Sequence, residues 1–247
     1  MYRSEEVKPY SEEGSKRTQV EKMFNHIAPT YDRLNHTLSL GIDRRWRKNA
    51  IRHLGRICKE PLNSVLDIAT GTGDFALLAE KILHPRHITG IDISEGMMNV
   101  GREKVTQAGL DGTIGFKQED CSQLSFADDS FDAVISSFGL RNFENLDACL
   151  AEMYRVTQKG GHLVAIDLST PKSFPMKQLF WVYKKLVMPF VGRSISHDDS
   201  AYTYLPDSMD AIPQGKEMVE IFSKAGWKNV RYKRLLPGMC IRYTAEK

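Results

Sequence analysis

The stretch Val65-Leu66-Asp67-Ile68-Ala69-Thr70-Gly71-Thr72-Gly73-Asp74 runs from apolar, β-favouring residues into a turn with two glycines, and Phe75 to Leu83 continues with a helical apolar stripe. Strand, glycine turn and helix in that order aim backbone N–H groups and a helix N-terminus at a ligand. The turn also fits the dinucleotide fingerprint, with Ala76 in its last place. Carboxylates stand on both sides of it, however, at Asp67 and Asp74. They repel a pyrophosphate and suit a ligand that carries a sulfonium and an ammonium group. Asp67, Gly71, Thr72 and Gly73 are therefore read as the cradle of S-adenosylmethionine.

Downstream the pattern alternates between strand and helix, the mark of a mainly parallel sheet covered on both faces. Strands are expected at His87–Ile93, Thr113–Glu119, Phe131–Ser137 and His162–Leu168. Ser94 is a fitting N-cap for a helix that runs to about Ala108 and stops at Gly109. Gly101 inside it marks close packing or a bend. A further helix places Leu146, Leu150, Met153 and Val156 inward and is expected to close at Lys159-Gly160-Gly161. From Thr170 to about Pro213 the rhythm breaks into an insertion. A helix from Lys216 to Ala225 and two strand-like segments joined through Pro237-Gly238 then close the chain as an antiparallel hairpin. Residues 1–16 read as a flexible tail and 17–247 as one domain, with a helical cap at about 17–58 and a substrate-side insertion at about 170–213.

The 247 residues suffice for one large α/β domain, and a net charge of +3 is too small to call for a nucleic-acid partner. Cys58, Cys121, Cys149 and Cys240 are scattered with no C-x-x-C pair, which points to free thiols in a reducing compartment. Neither they nor the seven histidines have metal-ligand spacing, so no metal is expected. No apolar leader and no run of roughly 18 apolar residues is present, which suggests a cytoplasmic protein. The Asp43–Ile57 helix carries Arg44, Arg45, Arg47, Lys48, Arg52 and Arg56, either a solvated face or a contact for anionic headgroups.

Asp92 lies nineteen residues past Gly73, at the end of the second strand, where a carboxylate accepts both ribose hydroxyls. Glu119, Asp120 and Cys121 follow the third strand and can border an adenine ring, while Ser136 and Ser137 end the fourth beside the methyl-donor tail. All sit at carboxyl ends of parallel strands, where such sheets bind ligands.

Outside the loop, Tyr31-Asp32, Leu34, Asn35, Leu38, Ser39, Gly41 and Trp46 form one block, and Phe138-Gly139-Leu140-Arg141-Asn142 a second. Arg155-Val156, Gly160-Gly161 and Ser169 form a third; Asp199, Tyr202, Tyr204, Leu205 and Ser208 a fourth. Together they resemble the ubiquinone/menaquinone biosynthesis C-methyltransferase family of UbiE/MenG type, from about Val20 to the C-terminus. The resemblance implies a class I S-adenosylmethionine-dependent methyltransferase fold: a seven-stranded, mostly parallel sheet with one antiparallel strand near the C-terminus and helices on both faces. It implies cofactor contacts from Thr72, Asp92, Asp120, Cys121 and Ser137. It also implies methylation of a ring carbon of demethylmenaquinol, with the 2-polyprenyl-6-methoxy-1,4-benzoquinol precursor of ubiquinone as the alternative. Three positions depart from the pattern: Asp43 stands for a usual His, Lys159 for a Pro and Asp167 for a Glu. The first removes one candidate proton acceptor.

Arg141 is the candidate to polarise a quinol hydroxyl, since guanidinium stays protonated and cannot act as a base. Tyr31 and Asp32 are candidates to close over the reacting groups, and Asn142 to support Arg141 or cap the next helix. The base is open among Asp32, His36, His197, Asp198 and Asp199. Phe174, Met176, Leu179 to Tyr183, Leu186 to Met188, Phe190 and Val191, with Lys184 and Lys185 between them, form either a core helix or a lid over an isoprenoid tail. The expected partners are thus an isoprenoid quinol and, transiently, the inner face of the cell membrane; homo-oligomerisation stays open. A dehydrogenase would want a Tyr-x-x-x-Lys pair within the domain, and only Tyr243 and Lys247 have that spacing. A nucleic-acid amino-methylase would want Asn/Asp-Pro-Pro-aromatic where Ser136-Ser137-Phe138-Gly139 stands. A non-catalytic assembly subunit would not need an intact loop with Asp92.

Overall fold

The computed structural model describes residues 1–10, 13–187 and 199–247. Seven strands form one sheet in the order β3-β2-β1-β4-β5-β7-β6: β1 (Ser64–Ile68), β2 (His87–Asp92), β3 (Ile114–Gln118), β4 (Phe131–Ser137), β5 (Thr157–Leu168), β6 (Lys228–Leu235) and β7 (Cys240–Glu246). The first five pair in parallel, while β7 runs antiparallel to both β5 and β6. One strand therefore opposes the rest, as the resemblance implies. Order reverses between β1 and β4, which opens a crevice at their carboxyl ends.

Successive residues of each central strand alternate between two buried faces. Leu66, Ile68, Val134 and Leu163 pack on α7 (Leu146–Val156) and on the Lys216–Lys224 helix through Leu150, Met153, Ile221 and Phe222. Val65, Ile135, Val164 and Ile166 pack on α4 (Ile42–Ile57) and α5 (Asp74–Leu83) through Ala50, Leu54, Phe75 and Ala79. Truncating such a residue, for example Leu54→Ala, costs about 2–5 kcal/mol. Gly101, in α6 (Glu95–Gln107), is a close-packing glycine: a Cβ there would lie 2.9 Å from Phe116 Cζ and 3.2 Å from the Thr72 carbonyl carbon.

Three expectations change, and one left open narrows. The segment expected as a flexible tail over 1–16 is anchored at both of its ends: α1 (Arg3–Glu6) buries Ser4 and Glu5, and Lys16, the first residue of α2 (Lys16–Ile27), is 1% exposed. The helix after β4 ends at Val156, and Lys159-Gly160-Gly161 belong to β5, because Gly160 takes φ 75° in an irregularity where Thr157 pairs with Phe131 and His162 with Ala133. Cys121 and Cys149 are joined in a disulfide, since the loop after β3 and the first turns of α7 bring their Cα atoms to 5.0 Å; Cys58 and Cys240 are free. Of the two readings left open for the apolar stretch, its described part is not a core helix: α8 (Met176–Val182) buries Phe180 and exposes Leu179, Trp181 and Val182, with Leu186 exposed beyond it. Met188, Phe190, Val191, His197 and Asp198 lie outside the described residues, as do the side chains of Val187, Asp199 and Tyr202.

Candidate active site

The β1–α5 loop turns tightly because Ala69, Gly71 and Gly73 take φ of 54°, 56° and 75°, a region where glycine is free of strain. Asp92 anchors the loop: Oδ2 accepts Gly71 N–H at 2.8 Å and Oδ1 accepts Ser94 N–H at 2.9 Å. Each oxygen keeps a lone pair for a hydroxyl donor. Burial pushes Asp92 up to about 6 against these bonds. Asp67, fully buried below the loop, accepts Thr70 Oγ1 at 2.7 Å through Oδ2 and leaves Oδ1 without a well-formed hydrogen bond.

A cavity of ≈ 830 Å³ opens at this crevice. Gly71, Asp92, Asp120, Cys121 and Ser137 line it, as do Val20 and Phe24 of α2, which covers it, and the Cys121–Cys149 disulfide forms part of its wall. Asp67, Thr72 and Gly73 are not in the lining; they shape the loop from beneath. Asp74 takes no part in the wall either. Although burial works against its charge, Arg47 and Lys104 hold Asp74 below the usual carboxylate range. Glu119 is paired with Lys117 and Asp120 with Arg17, so the acidic argument for the cofactor rests chiefly on Asp92 in the lining and Asp67 beneath the loop, with Glu119 and Asp120 at the rim. They fit a sulfonium-bearing nucleoside, with Asp92 for ribose hydroxyls and Ile93, Met97 and Phe143 as apolar surface for a base. Among the described residues the one cluster of metal-ligand type is Asp120, Cys121 and Cys149, and its two sulfurs are bonded to each other.

A second cavity of ≈ 590 Å³ is lined mainly by apolar groups, among them Leu38, Trp46, Leu168, Phe180, Leu205, Met209 and Met239. Tyr31 and Phe138 line both cavities and so stand at their junction. Phe138 reaches that place because its φ of 64° turns the chain sharply after β4. Arg141 follows in a short 3-10 turn, Leu140–Asn142, and is 6% exposed. Its NH1 donates to Asp167 Oδ1 at 2.8 Å and to Phe138 O at 2.5 Å, and its Nε has no partner. An orphaned donor on a buried cation at the wall of an apolar cavity suits an incoming oxygen.

Asp43 also lines this second cavity, and sequence reasoning missed it. It is buried and accepts Ser39 Oγ at 2.6 Å, Arg47 NH1 at 2.5 Å and His36 Nδ1 at 3.0 Å. The i,i+4 spacing of Asp43 and Arg47 was the available signal. The carboxylate at this position thus keeps an imidazole beside it, supplied by His36. Asp32 lines neither cavity: it accepts Thr72 Oγ1 at 2.7 Å and Lys104 Nζ at 2.9 Å, and so ties α3 (Tyr31–Leu38) to the cofactor loop. Of the candidate catalytic set, Arg141 and Tyr31 come together at the second cavity and Asp32 does not.

A sequence model described as the ubiE/COQ5 methyltransferase family matches residues 12–247. A Bacteroides fragilis protein named demethylmenaquinone methyltransferase is 54% identical over 100% of this chain and 99% of its own length. A Geotalea daltonii protein named ubiquinone/menaquinone biosynthesis C-methyltransferase UbiE is 40% identical over 96% of this chain and 98% of its own. Among solved structures, a SAM-dependent methyltransferase from Aquifex aeolicus superimposes with TM-score 0.56 at 19% identity, covering 81% of this chain and 88% of that one, a likeness of fold.

Proposed function

This chain belongs to the ubiE/COQ5 methyltransferase family, and from that premise we propose that it transfers a methyl group from S-adenosylmethionine to a ring carbon of demethylmenaquinol, giving menaquinol. The observation that carries the reading is the pair of cavities meeting at Tyr31 and Phe138, one acidic and one apolar with a buried guanidinium in its wall. The 54% identity to a protein named for demethylmenaquinone, against 40% to one named for both quinones, favours the naphthoquinol ring.

S-adenosylmethionine supplies an electrophilic methyl on a cationic sulfur. The reduced ring directs electron density to the carbon ortho to its hydroxyl, and that carbon forms the new C–C bond while the S–CH₃ bond breaks. Arg141 polarises the hydroxyl and stabilises the negative charge that builds on its oxygen, which raises this density. Tyr31 and Phe138 align ring and methyl at the junction and exclude water from the transfer. Asp43, the one carboxylate among the described residues that line the apolar cavity, receives the ring proton as aromaticity returns, with Ser39, His36 and Arg47 orienting it. Asp92 holds the ribose; Asp67 and the loop glycines place the sulfonium end.

The isoprenoid tail follows the apolar lining toward α8. Exposed Leu179, Trp181, Val182 and Leu186 lie there with Lys177, Lys184 and Lys185, an arrangement suited to transient contact with an anionic bilayer at the cytoplasmic face. No helix among the described residues is long and apolar enough to cross a membrane. Incubation with cofactor and chemically reduced demethylmenaquinone, read by mass spectrometry, tests the reaction: a singly methylated naphthoquinone is expected. Methylation of the ubiquinone precursor alone would overturn the ring assignment.

A further inference from the structure

The ammonium of Lys16 donates to three main-chain carbonyls: Ser4 O at 2.7 Å, Arg141 O at 2.8 Å and Phe143 O at 3.2 Å. An ammonium has three N–H donors, so all are engaged. Two of the acceptors close the short turn that carries Arg141 into the apolar cavity and Asn142 into the cofactor cavity. The third belongs to the N-terminal segment, which is tied to the same region through Glu5 Oε1, the acceptor of Leu146 N–H at 2.8 Å.

We propose that Lys16 is a positioning residue for methyl transfer: its ammonium fixes the Arg141–Phe143 backbone and so sets the Arg141 guanidinium over the acceptor. The inference rests on the reading of Arg141 given above. From the other side the turn is held by Asp167, which accepts the Arg141 N–H, and by the Asn142 N–H bond to Gly139 O. Without Lys16, two buried carbonyls lose their donor and the turn is free to relax. A displacement of about 1 Å at a positioning group costs up to about 10²-fold in rate. Lys16 itself reaches neither cavity, but Asn142 and Phe143 of the same segment line the cofactor cavity, so the loss falls first on turnover and to a smaller degree on cofactor affinity.

A double-mutant cycle decides the matter. Lys16→Met keeps length and apolar stem and removes the donors. It is measured in wild-type and Arg141→Ala backgrounds with a reduced short-chain demethylmenaquinone, alongside cofactor affinity by calorimetry and unfolding by circular dichroism. In the wild-type background kcat is expected to fall about tenfold or more, with acceptor KM and cofactor Kd within about threefold. In the Arg141→Ala background the further loss is expected below about twofold, because the residue through which Lys16 acts is already gone. Equal factors in both backgrounds overturn the Lys16 assignment alone. An unchanged kcat in Arg141→Ala by itself overturns the Arg141 reading and this inference with it. If Lys16→Met does not unfold cooperatively, Lys16→Gln, which removes the cation and leaves a shorter side chain with at most two of the three donors, takes its place under the same comparison.

Discussion

Asp167 holds Arg141 at two points, accepting its backbone N–H at 3.0 Å through one carboxylate oxygen and its guanidinium NH1 at 2.8 Å through the other. Main chain and side chain are thus aimed by one residue of β5, so the cation is preorganised before substrate arrives and its Nε stays available. Preorganised charge of this kind acts mainly on the transition state.

Arg141→Ala is accordingly expected to lower kcat by about 10²–10³-fold, while S-adenosylmethionine binds within about threefold of wild type. Steady-state kinetics and calorimetry on the same preparation check this. Equal losses in turnover and cofactor affinity would place Arg141 in the cofactor site instead.

Asp43→Asn keeps the shape of the Ser39–Asp43–His36 cluster and removes the proton acceptor. A loss of about 10²–10⁴-fold in kcat is the expected cost of losing a general base, again with little change in cofactor affinity. Retention of more than about half of wild-type turnover would assign Asp43 to holding Arg47 and nothing more.

Asp92→Ala removes the anchor of Gly71 and Ser94 and the acceptor for the ribose. Hydrogen bonds to a charged group are worth about 1.5–3 kcal/mol, so cofactor affinity should weaken about 10- to 100-fold. Calorimetric titration reads this directly, and an unchanged Kd would contradict the ribose role.

Asp67 predicts a pH dependence. Burial, joined by the charge of Asp92 and opposed by the Thr70 hydrogen bond, raises its carboxyl from an ordinary 3.8 to about 7. The folded chain then keeps a proton that the unfolded chain has released. This carboxyl's contribution to stability is therefore full below about 4 and is lost as pH rises toward about 7. A cationic cofactor favours the ionised form, so binding near pH 6 should release a proton, and affinity should fall as pH drops below about 7. Calorimetry in two buffers of different ionisation enthalpy measures the release. It should shrink in Asp67→Asn, and equal release in both proteins would clear Asp67 of the effect.

Trp181 and Leu186 are exposed apolar side chains beside the Lys184 and Lys185 ammonium groups. Replacing both by Ser should reduce sedimentation with anionic liposomes at low salt by about tenfold, the equivalent of some 1.4 kcal/mol of lost apolar burial. Turnover of a short-chain acceptor in solution should stay unchanged. Equal sedimentation of variant and wild type would remove α8 from the membrane contact.

The β1–α5 loop and its anchor were legible in the sequence because their signals are local. The glycine turn at Gly71 and Gly73 needs positive φ, and Asp92 ends the next strand at a fixed distance. Alternation of strand and helix dictates that both meet at the carboxyl edge of a parallel sheet. Arg141 was found through a block pattern, not through periodicity. Asp43 read only as the loss of one candidate proton acceptor, and nothing in the sequence showed His36, seven residues away, lying beside it. Asp74 looked like a cofactor carboxylate until Arg47 and Lys104 were seen to occupy it.

The sequence by itself determined the sheet, the loop at its switch point and the class of methyl donor, since backbone conformation and hydrophobic period depend on residues close along the chain. Only the tertiary structure decided which charges are engaged and which are free, that Tyr31 and Phe138 divide two cavities, and that a terminal segment read as a tail lodges a lysine against Arg141. The Lys16 contacts join residues 125 and 127 positions apart. A side chain bonded to a distant carbonyl leaves no periodic trace in the sequence, and burial alone makes such a bond matter.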